Sequence, residues 1–210
     1  MPGVTTFDQH SREYEAWFEA NPRAYEAELR AIRELLPKQG KGLEIGVGSG
    51  RFAAPLGIRY GVEPSKAMRD QARLRGIKVI KGVAESLPFT ESEFDHCLMV
   101  TTVCFLDDIE LAFSEAHRVL RPGGSFLIGF VDRDSPLGRD YLAKQDKSVF
   151  YQDATFYSTK ELIVHLEKAG FSDFRFHQTL FGPLKDIGVN EPVKEGFGDG
   201  SFVVVRGERM

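Results

Sequence analysis

"GLEIGVGSGRF", residues 42–52, joins a short apolar run to three alternating glycines. The run is typical of a strand that is buried on both faces, and the residues that follow favour a helix. Glycines between a strand and a helix permit a tight backbone turn and let a ligand approach the backbone amides. The stretch therefore predicts a binding loop at the carboxyl end of a buried strand.

Short apolar runs alternate with helical segments through much of the remaining sequence. The strand candidates are "IRYGVE", "IKVIKGV", "FDHCLMVTT" and "GSFLIGFV", and the clearest helix among them is "DDIELAFSEAHRVL". Near-continuous apolar runs separated by helices predict a parallel sheet with right-handed crossovers. Two final runs, "FRFHQTLF" and "GSFVVVRG", have only a Gly-rich connection between them, so we expect them to pair as antiparallel neighbours.

Two helices are expected ahead of the glycine loop. From residue 8 to about residue 20, aromatic side chains recur at spacings of three and four, which predicts a helix with Tyr14, Trp17 and Phe18 on one face. The second helix lies in "NPRAYEAELRAIRELLP", with Asn21 as its cap and Pro22 at its first helical position.

Composition and charge disfavour several classes of protein. The chain has 210 residues, of which 42% are hydrophobic and 28% charged, and its net charge of −4 gives no field that would collect nucleic acid. No apolar stretch approaches the roughly 18 to 20 residues that a bilayer requires, and the first residues resemble neither a secretory nor a transit signal, so we expect a cytoplasmic protein. The two cysteines, Cys97 and Cys104, lack metal-ligand spacing, which predicts buried thiols and no metal site.

The glycine loop fits the dinucleotide pattern G-x-G-x-x-G poorly, because the pattern starting at Gly46 requires glycine where the chain has Arg51. The stretch instead resembles the E/D-x-G-x-G-x-G signature of the class I S-adenosylmethionine-dependent methyltransferases. The resemblance implies that the loop binds S-adenosylmethionine, with contacts from Glu44, Gly46, Gly48 and Gly50.

The second strand candidate ends in "YGVEPS", where this family places an acid that binds both ribose hydroxyls. The resemblance gives that role to Glu63 and places Pro64 beside the adenine. Glu63 follows Gly46 by seventeen residues, close to the roughly twenty expected in dinucleotide folds. A carboxylate is a strong acceptor for two vicinal hydroxyls, because charge-assisted hydrogen bonds are the stronger ones.

Two further segments resemble family motifs around the cofactor. "KGVAESLPF" resembles the adenine segment and implies contacts from Ala84 and Glu85, although Val83 stands where many members have aspartate. Either Glu85 or a backbone carbonyl would then accept from the adenine amino group. The end of "FDHCLMVTT" resembles the fourth motif and implies that Val100 and Thr101 lie beside the methionine part of the cofactor.

The N-terminal "FDQHSREYEAWF" resembles the Tyr-x-x-Trp-Phe helix that covers the cofactor in members acting on small molecules. This resemblance implies substrate-side positions for Tyr14, Trp17 and Phe18, joined by Thr102 after the fourth strand.

The catalytic residue stays open at this point. His10, Tyr14 and Asp132 are candidate bases for an acceptor that must lose a proton, and the sequence does not select among them. The aromatic-rich stretch from Ser135 to Tyr157 forms either a wall of the acceptor pocket or a loop packed on the sheet edge.

The sequence thus predicts one α/β domain over residues 1–210: a Rossmann-like three-layer sandwich whose mostly parallel, seven-stranded sheet has an antiparallel last strand. Residues 1–37 form a helical lid, residues 41–131 the cofactor-binding core, and residues 132–210 a substrate-side loop, a helix and the final strand pair. The resemblance implies methyl transfer from S-adenosylmethionine to a small-molecule acceptor, with S-adenosylhomocysteine as product, by a monomer or homodimer that binds neither nucleic acid nor membrane. A protein or RNA acceptor, a non-catalytic S-adenosylmethionine sensor and a nicotinamide oxidoreductase are the alternatives.

Overall fold

The structure, a computed structural model, describes residues 4–210. These residues form eight strands: β1 (Gly42–Ile45), β2 (Tyr60–Val62), β3 (Lys78–Ile80), β4 (Phe94–Val100), β5 (Leu120–Val131), β6 (Phe171–Thr179), β7 (Lys194–Glu195) and β8 (Phe202–Arg209). Their α-helices are α1 (Val4–Gln9), α2 (Ser11–Ala20), α3 (Pro22–Leu35), α4 (Ala53–Leu56), α5 (Lys66–Leu74), α6 (Ile109–Val119), α7 (Pro136–Ala143) and α8 (Thr159–Lys168).

The strands form one sheet in the order β3-β2-β1-β4-β5-β8-β6-β7. Strands β1 to β5 pair in parallel, whereas β8 is antiparallel to both β5 and β6. The predicted Rossmann-like fold and the antiparallel final pair are confirmed. The sheet has one strand more than the seven predicted, because the two residues of β7 pair with β6 at the edge. A two-residue pairing has no apolar period by which sequence could reveal it.

Helices cover both faces of the sheet, as the alternating side chains of β4 illustrate. Cys97 and Met99 join the core beneath α6 and α8, while Leu98 and Val100 join the core beneath α2, α3 and α5. Because successive side chains of a strand point to opposite faces, this division places the sheet as the middle of three layers. Both cysteines are buried and free, as expected.

The N-terminal helices differ from the prediction in two details. The expected single helix is divided between α1 and α2, with His10 between them. Pro22 begins α3 as expected, but the Asn21 side chain makes no capping bond to that helix. Its amide instead donates to the backbone carbonyl of Trp17 over 3.0 Å. The same carbonyl also accepts from the backbone N–H of Asn21 over 2.9 Å, so both groups of Asn21 bond to the last turn of α2.

The chain changes direction across the sheet between β1 and β4. From β1 it proceeds outward to β2 and β3, then returns to place β4 on the other side of β1. Thr102, just after β4, donates through Oγ1 to the carbonyl oxygen of Gly46 over 3.2 Å, which ties the two strand ends together. In open α/β sheets, ligands bind at such a switch point, beyond the carboxyl ends of the strands.

Candidate active site

The glycine loop follows β1 and has no room for side chains at two positions. Gly46 and Gly48 have φ angles of +69° and +52°, in the left-handed region that favours glycine. A Cβ atom on Gly46 would lie 2.3 Å from Cγ2 of Thr102, and one on Gly48 would lie 3.3 Å from the hydroxyl oxygen of Tyr14. Glycine at these two positions therefore lets Thr102 and Tyr14 pack directly against the backbone of the loop.

A cavity of about 690 Å³ lies over this loop, and we call it the glycine-loop cavity. Its lining includes six of the predicted cofactor residues: Gly46, Gly48, Glu63, Pro64, Val100 and Thr101. Phe7 and Tyr14 from the N-terminal helices and Phe150 and Tyr151 from a distant loop also line it.

Glu63, immediately after β2, is the acid of the glycine-loop cavity. Its Oε2 accepts from the Gly48 N–H over 3.0 Å, and its Oε1 accepts from the Ser65 N–H over 2.8 Å. Burial raises the pKa of Glu63 to about 7, while these two amides and the Arg69 guanidinium act in the opposite direction. The carboxyl group is thus held in place, and its remaining lone pairs can accept from two vicinal hydroxyls.

Four of the predicted cofactor residues lie outside the lining of the glycine-loop cavity. Glu44 is buried beneath the loop, where burial raises its pKa well above the usual range. Gly50 packs against α5, and Ala84 is buried in the core. Glu85 accepts through Oε1 from the backbone N–H of Asp107 over 2.9 Å. These side chains are engaged in the packing around the cavity, so their direct contact with a cofactor stays a prediction.

Helices α1 and α2 are fastened over the cavity at both ends. Asp8 accepts through Oδ1 from the Ser65 hydroxyl over 2.6 Å and from a backbone amide of α5 over 2.9 Å. Glu15 on α2 pairs through Oε2 with Arg51 and with Arg75, each over 2.6 Å. Arg51, which breaks the dinucleotide pattern, therefore links the glycine loop to the helices above it.

A second cavity, of about 520 Å³, adjoins the first, and we call it the aromatic cavity. The lining that belongs to it alone consists of Trp17, Phe18, Glu28, Phe52, Val131 and Tyr141. The wall that it shares with the glycine-loop cavity consists of Tyr14, Thr101, Phe150 and Tyr151. The structure thus places Trp17 and Phe18 in the aromatic cavity, whereas Thr102, the fourth predicted substrate-side residue, lines the glycine-loop cavity.

Tyr14 is the predicted catalytic candidate that reaches the cavities. Burial first, and then the nearby carboxyls of Glu44 and Glu63, raise the pKa of Tyr14 above its ordinary value. Its phenol therefore stays protonated near neutral pH, so it can donate a hydrogen bond but is a poor base.

The other two candidate bases line neither cavity, although the His10 ring lies 6.4 Å from that of Phe150 in their shared wall. His10 pairs through Nδ1 with Glu13 over 3.2 Å near the surface. Asp132 accepts through Oδ2 from the Thr159 hydroxyl over 2.5 Å and through Oδ1 from the Asp134 N–H over 2.8 Å, so it fixes the start of α8. Within residues 4–210, no three His, Cys, Asp or Glu side chains form a group that could hold a metal ion.

Sequence analysis did not identify Glu28. It lies three residues after Tyr25 and four before Ile32, on the apolar face of α3, and it is 4% exposed. An acid inside an apolar stripe is the signal that could have revealed it, because such a side chain must enter the core or a cavity. The aromatic stretch between residues 135 and 157 supplies Tyr141, Phe150 and Tyr151 to the walls, which favours its interpretation as part of the pocket.

Comparison with known proteins identifies the family. Residues 43–128 match the family model of a methyltransferase domain. The structure resembles the crystal structure of a Thermotoga maritima S-adenosylmethionine-dependent methyltransferase, described as a possible histamine N-methyltransferase, with a TM-score of 0.96 and 51% identity over 98% of this chain and 99% of that one. This chain belongs to the S-adenosylmethionine-dependent methyltransferases.

This chain spans different shares of the length of two curated relatives. An uncharacterized protein of Methanocaldococcus jannaschii is 44% identical over 99% of this chain and 100% of the relative. The bovine mitochondrial 2-methoxy-6-polyprenyl-1,4-benzoquinol methylase is 30% identical over 70% of this chain but only 42% of its own length.

Family membership establishes the reaction class, a methyl transfer that depends on S-adenosylmethionine, and excludes the nicotinamide oxidoreductase. The residues of the glycine-loop cavity fit that group, because the backbone of Gly46 and Gly48 and a carboxyl group fixed by two amides line the cavity. In residues 4–210 no helix is both long and apolar enough to span a bilayer.

Proposed function

We propose that this methyltransferase acts on a small-molecule acceptor held in the aromatic cavity, while the glycine-loop cavity holds S-adenosylmethionine. The observation that carries the proposal is the wall that the two cavities share. Because Tyr14 and Thr101 belong to both linings, a donor in one cavity and an acceptor in the other would meet at these residues.

Different residues of the chain would contact different parts of such a donor. Glu63 would accept from the ribose hydroxyls, and Pro64 would lie against the adenine. Gly46 and Gly48 would lie under the methionine part, with Thr101 beside it at the end of β4. When bound, S-adenosylmethionine supplies a sulfonium methyl group: the acceptor's lone pair forms the new bond as the carbon–sulfur bond breaks, and that electron pair stays on sulfur in S-adenosylhomocysteine.

The contribution of the protein is to align the acceptor and exclude water. The aromatic walls and the fastened helices α1 and α2 serve both purposes. Thr101 has a φ of +49°, a left-handed conformation unusual for a β-branched residue, at the junction of the two cavities. Backbone strain of this kind is often found at functional sites, where the surrounding structure enforces it. The neutral hydroxyl of Tyr14 can orient an acceptor by donating a hydrogen bond.

The lining of the aromatic cavity and the charge of the chain favour a small acceptor over a protein or RNA. The cavity is lined mainly by aromatic side chains, as small-molecule sites commonly are, whereas RNA binding uses basic surfaces that a chain of net charge −4 does not favour. The acceptors named for the Thermotoga and bovine relatives, histamine and a polyprenyl benzoquinol, are also small molecules.

The test is transfer of radiolabelled methyl from S-adenosylmethionine to pools of phenols, amines and thiols, run beside whole-cell protein and total RNA. We expect label in a small-molecule pool, and much less of it when the Glu63→Gln variant replaces the wild-type protein at a limiting concentration of S-adenosylmethionine. Label only in protein or RNA would overturn the proposal, and so would the absence of transfer to every pool although S-adenosylmethionine binds.

A further inference from the structure

Glu28 is the acidic side chain of the aromatic cavity, and none of the described residues pairs with it. The residue is 4% exposed, and within residues 4–210 its carboxyl group forms neither a hydrogen bond nor an ion pair. Burial of an unpartnered carboxyl group costs free energy, so buried acids normally have a cation or several donors beside them. Glu63 in the adjoining cavity has two such donors. The position of Glu28 therefore calls for a partner that the protein does not supply.

The surroundings of Glu28 favour a cation as that partner. Trp17, Phe18, Phe52 and Tyr141 line the same cavity, and among residues 4–210 no Lys, Arg or His lines it. Arg51, outside the lining, lies over the Phe18 ring at 5.2 Å from its centroid. Aromatic faces carry partial negative charge and attract cations within about 6 Å of the ring centroid. The carboxyl group and the ring faces thus act in the same direction on a ligand.

No cation of residues 4–210 lowers the pKa of Glu28. Burial raises this pKa to about 8, so the carboxyl group is mostly protonated near neutral pH. When ionised it acts on Tyr14 from α2, Tyr25 from α3, Tyr141 from α7 and Tyr151 from the following loop; burial raises the pKa of each, so these phenols stay neutral. A cation that enters the cavity would favour the carboxylate, and Glu28 would release a proton on binding it.

We propose that Glu28 determines acceptor specificity by pairing with a basic nitrogen, an amine or an imidazole, at one end of a small acceptor; this rests on the function proposed above. Glu28 lines the aromatic cavity but not the glycine-loop cavity. The basic nitrogen therefore anchors the acceptor at the end remote from the methyl donor. The reacting atom lies at the other end, towards Tyr14 and Thr101.

Trp17 provides a direct readout of this cavity. It is the single tryptophan of the chain and part of the cavity lining, so its fluorescence reports occupancy without any need for turnover. The probes are benzylamine, 2-phenylethylamine and 4-phenylbutylamine, each matched with the corresponding uncharged alcohol. All are titrated against the protein with S-adenosylhomocysteine present.

We expect amines to bind at least about tenfold more tightly than their matched alcohols, as hydrogen bonds to charged groups allow. Glu28→Gln should abolish this preference while still binding the alcohols, and Glu28→Asp should retain part of it. Glu26→Gln, on the solvent side of the same helix, is the control and should behave as wild type. An unchanged calorimetric affinity for S-adenosylhomocysteine shows that each variant is folded.

Two further outcomes separate this inference from the function on which it rests. Equal binding of amines and alcohols, or an amine preference that survives in Glu28→Gln, would overturn the role of Glu28 and leave the small-molecule function standing. If none of the probes changes Trp17 fluorescence and no small-molecule pool is methylated, both proposals fail. For a methylated amine, Glu28→Gln should raise KM at least about tenfold and leave kcat within about threefold, because the interaction is remote from the reacting atom.

Discussion

The glycine-loop cavity and the aromatic cavity each contain a buried glutamate, but only one of these side chains has partners. Glu63 accepts two backbone N–H groups over 3.0 and 2.8 Å, whereas Glu28 accepts none from residues 4–210. A carboxylate held by its own backbone is ready for a fixed ligand such as a cofactor. A carboxyl group without partners can gain one only from a ligand that enters the cavity. A glutamate held by backbone amides therefore suits a site for one fixed ligand, whereas an unpartnered glutamate suits a site that selects among ligands.

The first prediction has the largest expected effect and concerns ligand binding in the glycine-loop cavity. Gly48→Val should weaken S-adenosylhomocysteine binding by about a hundredfold or more, because a branched side chain obstructs a ligand's approach to the loop. Isothermal titration calorimetry measures the change.

Gly57→Val is the matched control for this variant. Gly57 also has a left-handed φ, +77°, but a Cβ atom there meets nothing within 4 Å. Both variants should lose similar stability in thermal unfolding, yet only Gly48→Val should lose affinity. Equal loss of affinity in the two would attribute the effect to backbone strain and refute the role of the loop.

The second prediction compares how much each of the two glutamates contributes to cofactor binding. Glu63→Gln should weaken S-adenosylhomocysteine binding by about 1.5–3 kcal/mol, the range for a hydrogen bond to a charged group. Glu28→Gln should leave that affinity unchanged, because its side chain lies in the other cavity. Calorimetry on both variants checks this. Normal affinity in a folded Glu63→Gln variant would remove Glu63 from the cofactor site.

The third prediction concerns pH. The pKa of Glu63 is raised to about 7 in the ligand-free protein, where Glu44, Asp8 and Arg69 are its charged neighbours. Hydroxyl donors favour the carboxylate, so binding should lower this pKa and release a proton. Affinity for S-adenosylhomocysteine should therefore fall as the pH drops below about 7, by at most about tenfold per pH unit.

Calorimetry between pH 5.5 and 8.5, in buffers of different ionisation enthalpy, measures both the affinity and the proton release. Glu63→Gln should show a flatter profile than wild type. The same slope in both proteins would assign the titration to another group.

The smallest expected effect concerns helix α1, whose Phe7 lines the glycine-loop cavity. Asp8→Ala removes the acceptor that ties α1 to Ser65 and to the start of α5. Because this contact is largely exposed, the dissociation rate of S-adenosylhomocysteine should rise only a few-fold. Stopped-flow fluorescence measures the rate, with Asp70→Ala as the control, since Asp70 pairs only within α5. Equal rates in the two variants would show that the tie does not retain the cofactor.

Much of the site around the cofactor could be predicted from the sequence. The spacing of Gly46, Gly48 and Glu63 follows from chain geometry at adjacent parallel strands, and the structure brings these residues into one cavity. The positions of Glu44 and Glu85 could not be predicted as well, because whether an acid faces the cavity or accepts from a neighbouring amide depends on packing. The division into lid, core and substrate-side parts stays a prediction.

The acceptor side was harder to predict for a different reason. Glu28 lies more than 100 residues before Tyr141 and Phe150, and no periodicity links it to them. His10 and Asp132 were reasonable candidate bases by position, but their contacts lie with Glu13 and Thr159.

The sequence by itself determined the fold class, the parallel core with its antiparallel final pair, and the family. These depend on local patterns: apolar runs of strand length, helical spacing, and glycines where φ must be positive. Only the tertiary structure decided that Glu28 stands without a partner among aromatic rings. That property depends on which groups are absent around a side chain, and the neighbours of a buried residue are set by packing between distant segments.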